Sequence, residues 1–275
     1  MIADIKTKSG NGSSDNTKEP LNKKGERSEP NRNFPFSIFH FPFDKVVVIL
    51  NTLFSLDGRL SVCASYVRKG TSLADVGTDH AYLPIWLAKN GLISSAVASD
   101  IRIKPLKAGE ENIKKYGVED IVKTRLCGGL DEVEPEEADD IVIAGMGGEM
   151  IVKIIDNASW LKNSEKRLIL QPMTKMHELR SYLCENGFEI KSETPCTHGG
   201  KYYTVICAEY SGETMSFSPS FAYIGKLENN SEYAREYMRS VLSKLHKKRD
   251  GTAVSGGDTG EMDAVIKEIR EKFGI

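Results

Sequence analysis

From about residue 72 onward, short apolar-rich runs alternate with longer segments in which apolar residues recur every three or four positions. The runs at 72–76, 95–99, 122–127, 140–144 and 167–171 suit strands of a parallel sheet covered on both faces. The segments between them, 84–90, 105–116, 148–157 and 175–186, predict helices. Their punctuation agrees: Pro84 suits a first helical turn and Gly91 a stop, while Tyr116-Gly117 and Asn186-Gly187 end two more. Strand–helix alternation at this spacing predicts βαβ units and an open α/β sheet. Two last strands, 189–194 and 202–209, are separated by only a His198-Gly199-Gly200 turn, so an antiparallel hairpin is expected to close the sheet.

The tail changes period. Ala234, Tyr237, Met238, Val241 and Leu245 fall at i, i+3, i+4, i+7 and i+11, and Met262, Val265, Ile266, Ile269 and Phe273 repeat those offsets. Two amphipathic helices joined by a Gly- and Ser-rich loop at 250–260 predict a helical hairpin. At the other end, residues 1–33 hold too few apolar side chains to offset the entropy of ordering. FPFSIFHFPF at 34–43 sets five phenylalanines around two prolines that oppose a helix. It reads as a non-essential extension, with an extended strip on an apolar groove as the alternative. The expected organisation is a disordered or loosely docked extension at 1–50, an α/β domain at 51–212 and a helical hairpin at 213–275.

Charge narrows the function classes. The 275 residues carry 37 Lys and Arg against 39 Asp and Glu, a formal net charge of -2. That excludes a basic coat and confines any nucleic-acid surface to a patch. One candidate patch lies in the first tail helix, where seven basic residues between Lys226 and Arg249 face three Glu. Arg235, Arg239, Lys244, Lys247, Lys248 and Arg249 are its candidate RNA contacts, with a solvated helix face as the alternative. Five scattered cysteines without a C-x-x-C suit reduced thiols in a cytoplasmic protein. The histidines fall at no metal-ligand spacing, so no metal is expected. With no apolar run of about 18 residues and no secretory signal pattern, neither membrane insertion nor export is expected.

The chemistry concentrates where strands end. The first strand runs into Asp75-Val76-Gly77-Thr78-Asp79-His80-Ala81-Tyr82-Leu83-Pro84, and a helix starting near Pro84 leaves Thr78 to Leu83 as a loop. Open α/β sheets bind ligands at this end of their strands. The dinucleotide fingerprint G-x-G-x-x-G is absent, and the loop presents carboxylates where a pyrophosphate would lie. Like charges ~4 Å apart repel by ~1 kcal/mol in water and ~4 kcal/mol at intermediate dielectric. S-adenosylmethionine has no phosphate, and its sulfonium and amino groups favour acids such as Asp75 and Asp79. The second strand ends at Asp100, 25 positions after Asp75, where a carboxylate can accept both ribose hydroxyls. The fourth strand ends in Ala144-Gly145-Met146-Gly147-Gly148, whose glycines let backbone approach a flat ligand. The fifth ends in Gln171-Pro172-Met173, and both ends should line the rim that carries Asp79.

Taken together, LADVGTDHAYLP, ASDI with Pro105-Leu106, IVIAGMGGEMI and LILQPM make residues 56–209 resemble the bacterial TrmK-type tRNA (adenine-22-N1)-methyltransferases. The resemblance implies a Rossmann-like class I methyltransferase sheet of seven strands with its last hairpin antiparallel, followed by a coiled-coil-like helical tail. It also implies S-adenosylmethionine as donor, tRNA as partner and N1 of a D-arm adenine as acceptor. On this reading Asp75, Gly77, Thr78, Asp100, Ile101, Gly128, Gly129, Leu130, Ala144 and Gly145 hold the cofactor. Met146, Gly147, Gly148, Gln171 and Pro172 shape the target-base pocket, and Asp79, His80 and Tyr82 are the catalytic candidates. Asp79 either accepts from the exocyclic amine and balances the charge arriving on the base, or holds the cofactor's amine; both assignments stay open. Gly128 stands where the family usually carries Asp or Asn, and Lys104 where glycine is common. A methyltransferase for small molecules or proteins, and a catalytically silent RNA-binding module, are the alternatives.

Overall fold

Strands β1 (Thr71–Val76), β2 (Ile93–Asp100), β3 (Val122–Leu126), β4 (Asp140–Gly147), β5 (Arg167–Thr174), β6 (Phe188–His198) and β7 (Lys201–Tyr210) form one sheet in the order β3-β2-β1-β4-β5-β7-β6. The first five run parallel, and β7 enters antiparallel between β5 and β6. The structure is a computed structural model that describes residues 53–275, so the expectations for 1–50 lie outside the described residues.

Two helical layers explain the unbroken apolar runs. On one face lie α1 (Gly58–Tyr66), α2 (Tyr82–Lys89) and α3 (Ile103–Tyr116); on the other lie α4 (Gly148–Asn157) and α5 (Met176–Glu185). Successive strand side chains alternate between the layers. Along β4, Ile141 and Ile143 join Ile151 and Leu179 in one cluster, whereas Val142 joins Cys63, Leu83 and Ile113 in the other. Such double coverage is what parallel strands require.

The tail adds α6 (Pro219–Ile224), α7 (Glu232–Val254) and α8 (Gly260–Phe273). Ala234, Met238 and Leu245 of α7 pack on Val265, Ile269 and Phe273 of α8, with Ile224 and Leu227 completing that core. A buried ion pair secures α5 to the sheet's outer hairpin: Arg180 donates to Glu193 at 2.8–3.2 Å and to the carbonyls of Ala222 and Tyr223 at 2.9 and 2.8 Å. Nothing in the charge of Arg180 signals this burial; its partners come from two other elements, β6 and α6.

Several boundaries differ from expectation for local reasons. The sequence pattern gave no sign of α1, which is started by Asp57 accepting from the N–H groups of Arg59 and Leu60 at 2.8 and 3.0 Å. Helix α2 begins at Tyr82 rather than near Pro84, because Ala81 takes a left-handed conformation (φ 56) and turns the chain early. Pro84 still sits in the first turn, where its missing N–H costs nothing. Strands β4 and β5 run on to Gly147 and Thr174, and α7 continues through Gly251 to Val254, which shortens the expected 250–260 loop to 255–259.

Candidate functional site

The strand order reverses between β1 and β4, and the loops at this switch point enclose a cavity of about 950 Å³. Gly77, Asp100, Ile101, Gly128, Gly129, Leu130, Ala144, Gly145 and Met146 all line it. Backbone bonds pin these loops together. The N–H groups of Gly77 and Thr78 both donate to Ser99 O at 2.8 and 2.9 Å, and Ser99 Oγ donates to Gly129 O at 3.1 Å. Gly77 adopts φ +74, a conformation that favours glycine, and a Cβ there would displace the flexible end of Met146, whose Cε lies 2.2 Å away.

The acids are graded by burial. Asp75 and Asp100 are 7% and 4% exposed. Burial, with the Asp100 charge adding and Thr78 opposing, pushes the Asp75 carboxyl up to about 6. Asp100 Oδ1 accepts from Arg102 N at 2.7 Å, and Oδ2 has only a long contact of 3.4 Å to Arg102 Nη2. Thr78 Oγ1 is buried beside them without a hydrogen bond of regular geometry among the described residues.

These features fit the cofactor that the sequence points to. Asp100 lines the cavity and retains acceptor capacity for ribose hydroxyls, and Ile101 is 73% exposed at the rim, whereas Asp75 and Thr78 lie behind the lining. Met150, Lys153 and Trp160 add walls that the sequence reading did not flag. Among the described residues no group of three or more His, Cys, Asp or Glu is placed to hold a metal ion.

The catalytic candidates lie outside this lining, on the turn from β1 into α2. Asp79 and His80 side chains are 69% and 42% exposed, with His80 Nε2 3.4 Å from Asp79 Oδ2. The His80 and Tyr82 rings lie 5.4 Å apart, and Tyr82 also meets Phe54 edge-on at 4.8 Å. Asn112 fixes the turn by donating to His80 O at 3.0 Å.

The candidate base-pocket residues divide. Met146 lines the cavity, and Gly147 caps α4. Gly148 packs so tightly on β5 that a Cβ would come within 2.4 Å of Lys175 O. Gln171 is fully buried under the glycine turn, where its Oε1 accepts from Gly145 N at 3.2 Å and from Arg59 Nη1 at 3.3 Å. Arg59, itself bridged to Asp57 at 2.9 Å, thereby links α1 to the glycine turn. Sequence reasoning missed it because the helix that carries it was not legible. Gln171→Leu is expected to leave Gly145 N–H unpaired at a cost of about 1–3 kcal/mol. A turnover loss of several-fold at intact cofactor affinity should follow; unchanged steady-state kinetics would dissociate this network from the reaction.

The six basic candidates also divide. Arg235 pairs with Glu232 at 2.6 Å, Arg239 with Glu236, and Arg249 with Asp250 and Asp263 at 2.9 Å. Lys244, Lys247 and Lys248 are exposed and make no ion pair among the described residues.

A seven-stranded sheet in this order, with its cavity at the β1–β4 switch point, defines a Rossmann-like class I methyltransferase fold. A family model described as a methyltransferase domain matches residues 56–206. The tRNA (adenine(22)-N(1))-methyltransferase of Bacillus subtilis is 34% identical over 228 residues, spanning 80% of this chain and 94% of that protein. The crystal structure of the B. subtilis m1A22 tRNA methyltransferase TrmK superposes with a TM-score of 0.66 at 27% identity, covering 80% of this chain and 96% of that one. M. capricolum TrmK in complex with S-adenosyl-homocysteine gives 0.67 at 27% identity, covering 81% and 99%. The chain belongs to the tRNA (adenine(22)-N(1))-methyltransferase family.

Proposed function

We propose that this protein transfers a methyl group from S-adenosylmethionine to N1 of adenine 22 in the D-arm of tRNA, in the cytoplasm where tRNA works. The observation that carries the reading is the match to a relative of that activity along 94% of the relative's length, supported by a cavity at the strand ends that Gly77, Asp100 and the Gly128-Gly129 turn line. When bound, the cofactor supplies an electrophilic methyl group beside a cationic sulfur. Asp100 would hold the ribose hydroxyls, the Gly128-Gly129 turn and Ile101 would flank the adenine, and Asp75, buried behind the lining, would add negative potential for the cationic end.

Adenine N1 carries its own lone pair, so the site has no need of a strong base. Its tasks are alignment and accommodation of the positive charge that reaches the ring. Asp79 suits the second task by accepting from the exocyclic amine, with His80 and Tyr82 orienting the base. The competing assignment, Asp79 on the cofactor's amine, is separated from it by the variant discussed below. N1 lies on the Watson–Crick edge, so the base must leave its stack or pair at a cost of about a few kcal/mol.

The decisive experiment is methyl transfer from labelled cofactor to unmodified tRNA, with the product nucleoside mapped. The expected product is 1-methyladenosine at position 22. Cofactor binding without RNA methylation would overturn the reading in favour of a small-molecule or protein acceptor, or of a silent binder.

Asp75 adds a pH dependence. With its carboxyl at about 6, it is neutral below that pH and must release a proton to face a cationic ligand. Cofactor affinity is expected to rise with pH between about 5 and 7, by up to about tenfold per unit on the acid side. Asp75→Asn should flatten that profile in calorimetric titrations; an identical slope in the variant would assign the proton elsewhere.

A further inference from the structure

A second cavity, of about 740 Å³, lies between the end of β5, the start of α5, the β6–β7 turn and α7. Its size falls within the range of about 300–1,000 Å³ usual for small-ligand sites. Among the described residues no Asp or Glu lines it, whereas Lys201, Lys244 and Lys248 do. None of these three lysines makes an ion pair among the described residues, unlike their neighbour Lys175, which is bridged to Glu149 and Glu178. The wall is aromatic as well as basic. His177 and Tyr223 stack face to face with centroids 4.8 Å apart and planes 9° from parallel, and Tyr202 adds a third ring. Burial holds His177 below the usual histidine value, with Glu178 opposing and Lys248, Lys175 and Arg180 adding smaller effects in the direction of burial.

The cavity adjoins the reaction rim. Met146 and Gly147 of the glycine turn pair in register with Pro172 and Thr174 of β5, and both β5 residues line the second cavity. Adjacent strands lie about 4.8 Å apart. A polynucleotide whose target base enters at the glycine turn therefore passes this opening with a neighbouring residue. A base flipped from its stack leaves neighbours that need a new stacking surface, and one base on an aromatic ring gains about 1–3 kcal/mol.

We propose that this cavity binds a second nucleotide of the substrate RNA, its base against the His177, Tyr223 and Tyr202 rings and its phosphate on Lys244, Lys248 and Lys201. The proposal rests on the tRNA reading above and adds to it a distinct subsite. It also gives Lys244 and Lys248 a role different from that of Arg235, Arg239 and Arg249, whose charges are already matched by acids.

The test compares the full chain with three variants: Lys244→Ala/Lys248→Ala, Ser240→Trp, and Tyr202→Leu. Ser240 lines the cavity, so tryptophan fills it without changing charge; Tyr202→Leu removes a ring while keeping bulk. Melting curves and cofactor titrations check the fold of each. Steady-state kinetics and anisotropy with unmodified tRNA across salt concentrations give the readout. The double lysine variant is expected to raise KM for tRNA about tenfold and to lessen the salt slope by about 1.4, as for two lost phosphate contacts on a single strand. Ser240→Trp should raise KM for tRNA about tenfold with an unchanged salt slope, and Tyr202→Leu several-fold, cofactor affinity staying at the wild-type value. Wild-type methylation alongside unimpaired Ser240→Trp and Tyr202→Leu overturns the subsite alone and leaves the lysines as a charged surface. A wild-type chain that methylates no tRNA overturns the underlying reading and the subsite with it.

Discussion

Glu193→Ala is expected to lower the melting temperature by about 10 °C. The side chains of Arg180 and Glu193 are both 0% exposed, and among the described residues the pair is the only ion pair that balances the guanidinium's charge. Burial opposes that charge, but Glu193 outweighs the opposition and holds the Arg180 pKa above its ordinary value. Removing the carboxylate strands a buried cation, a change that typically costs about 3–5 kcal/mol. For a chain of this size each kcal/mol corresponds to about 2–4 °C. The carbonyls of Ala222 and Tyr223 keep two of the guanidinium's donors occupied but supply no net charge. A joint replacement, Arg180→Met with Glu193→Leu, should recover much of the loss, since buried pairs exchange for apolar residues at little net cost. Calorimetry decides it: a Glu193→Ala melting point within about 2 °C of wild type would show that water reaches the pair.

Asp79→Asn is expected to reduce kcat about a hundredfold while leaving cofactor affinity unchanged. A group whose contact strengthens as charge develops acts on turnover rather than on ground-state binding, and single contacts of this kind are worth about 10²–10³ in rate. Asp79 lies on an exposed turn beside His80, outside the cavity lining, where a bound base could reach it. Asparagine keeps an acceptor oxygen but not the negative charge, so the variant isolates the electrostatic part. If Asp79 instead holds the cofactor's amine, the same variant weakens cofactor binding tenfold or more, with a smaller change in kcat. Calorimetry and single-turnover rates on one preparation distinguish the two.

Strand positions were legible because the central strands are covered on both faces, so burial writes itself as consecutive apolar residues. β4 and β5 were read too short at their carboxyl ends because glycine, proline and methionine carry no strand signature, although the backbone there keeps pairing. α1 was illegible because its first turn carries no acid and its last no base, and its start depends on one capping residue, Asp57. The loops that line the cavity were legible for a different reason: an open α/β sheet forms its ligand crevice at the carboxyl ends of its strands. The Arg59–Gln171–Gly145 network was not, because it joins residues 112 and 26 positions apart through side-chain geometry alone. The division of the basic helix was within reach. Glu232 and Glu236 stand three positions before Arg235 and Arg239, the spacing at which helical neighbours neutralise one another.

The antiparallel insertion of β7 between β5 and β6 carries a consequence for the order of assembly during synthesis. Each of the strands β2 to β5 finds a parallel partner among strands made before it. β6 emerges next, yet its ladder partner is β7, and β7 also fills the open edge of β5. Until residue 210 is made, the nascent sheet has an exposed β5 edge and an unpaired β6, the kind of surface on which growing chains associate wrongly. Completion is then abrupt: one strand zips two ladders at once, and the acidic partner of Arg180 arrives in place with it.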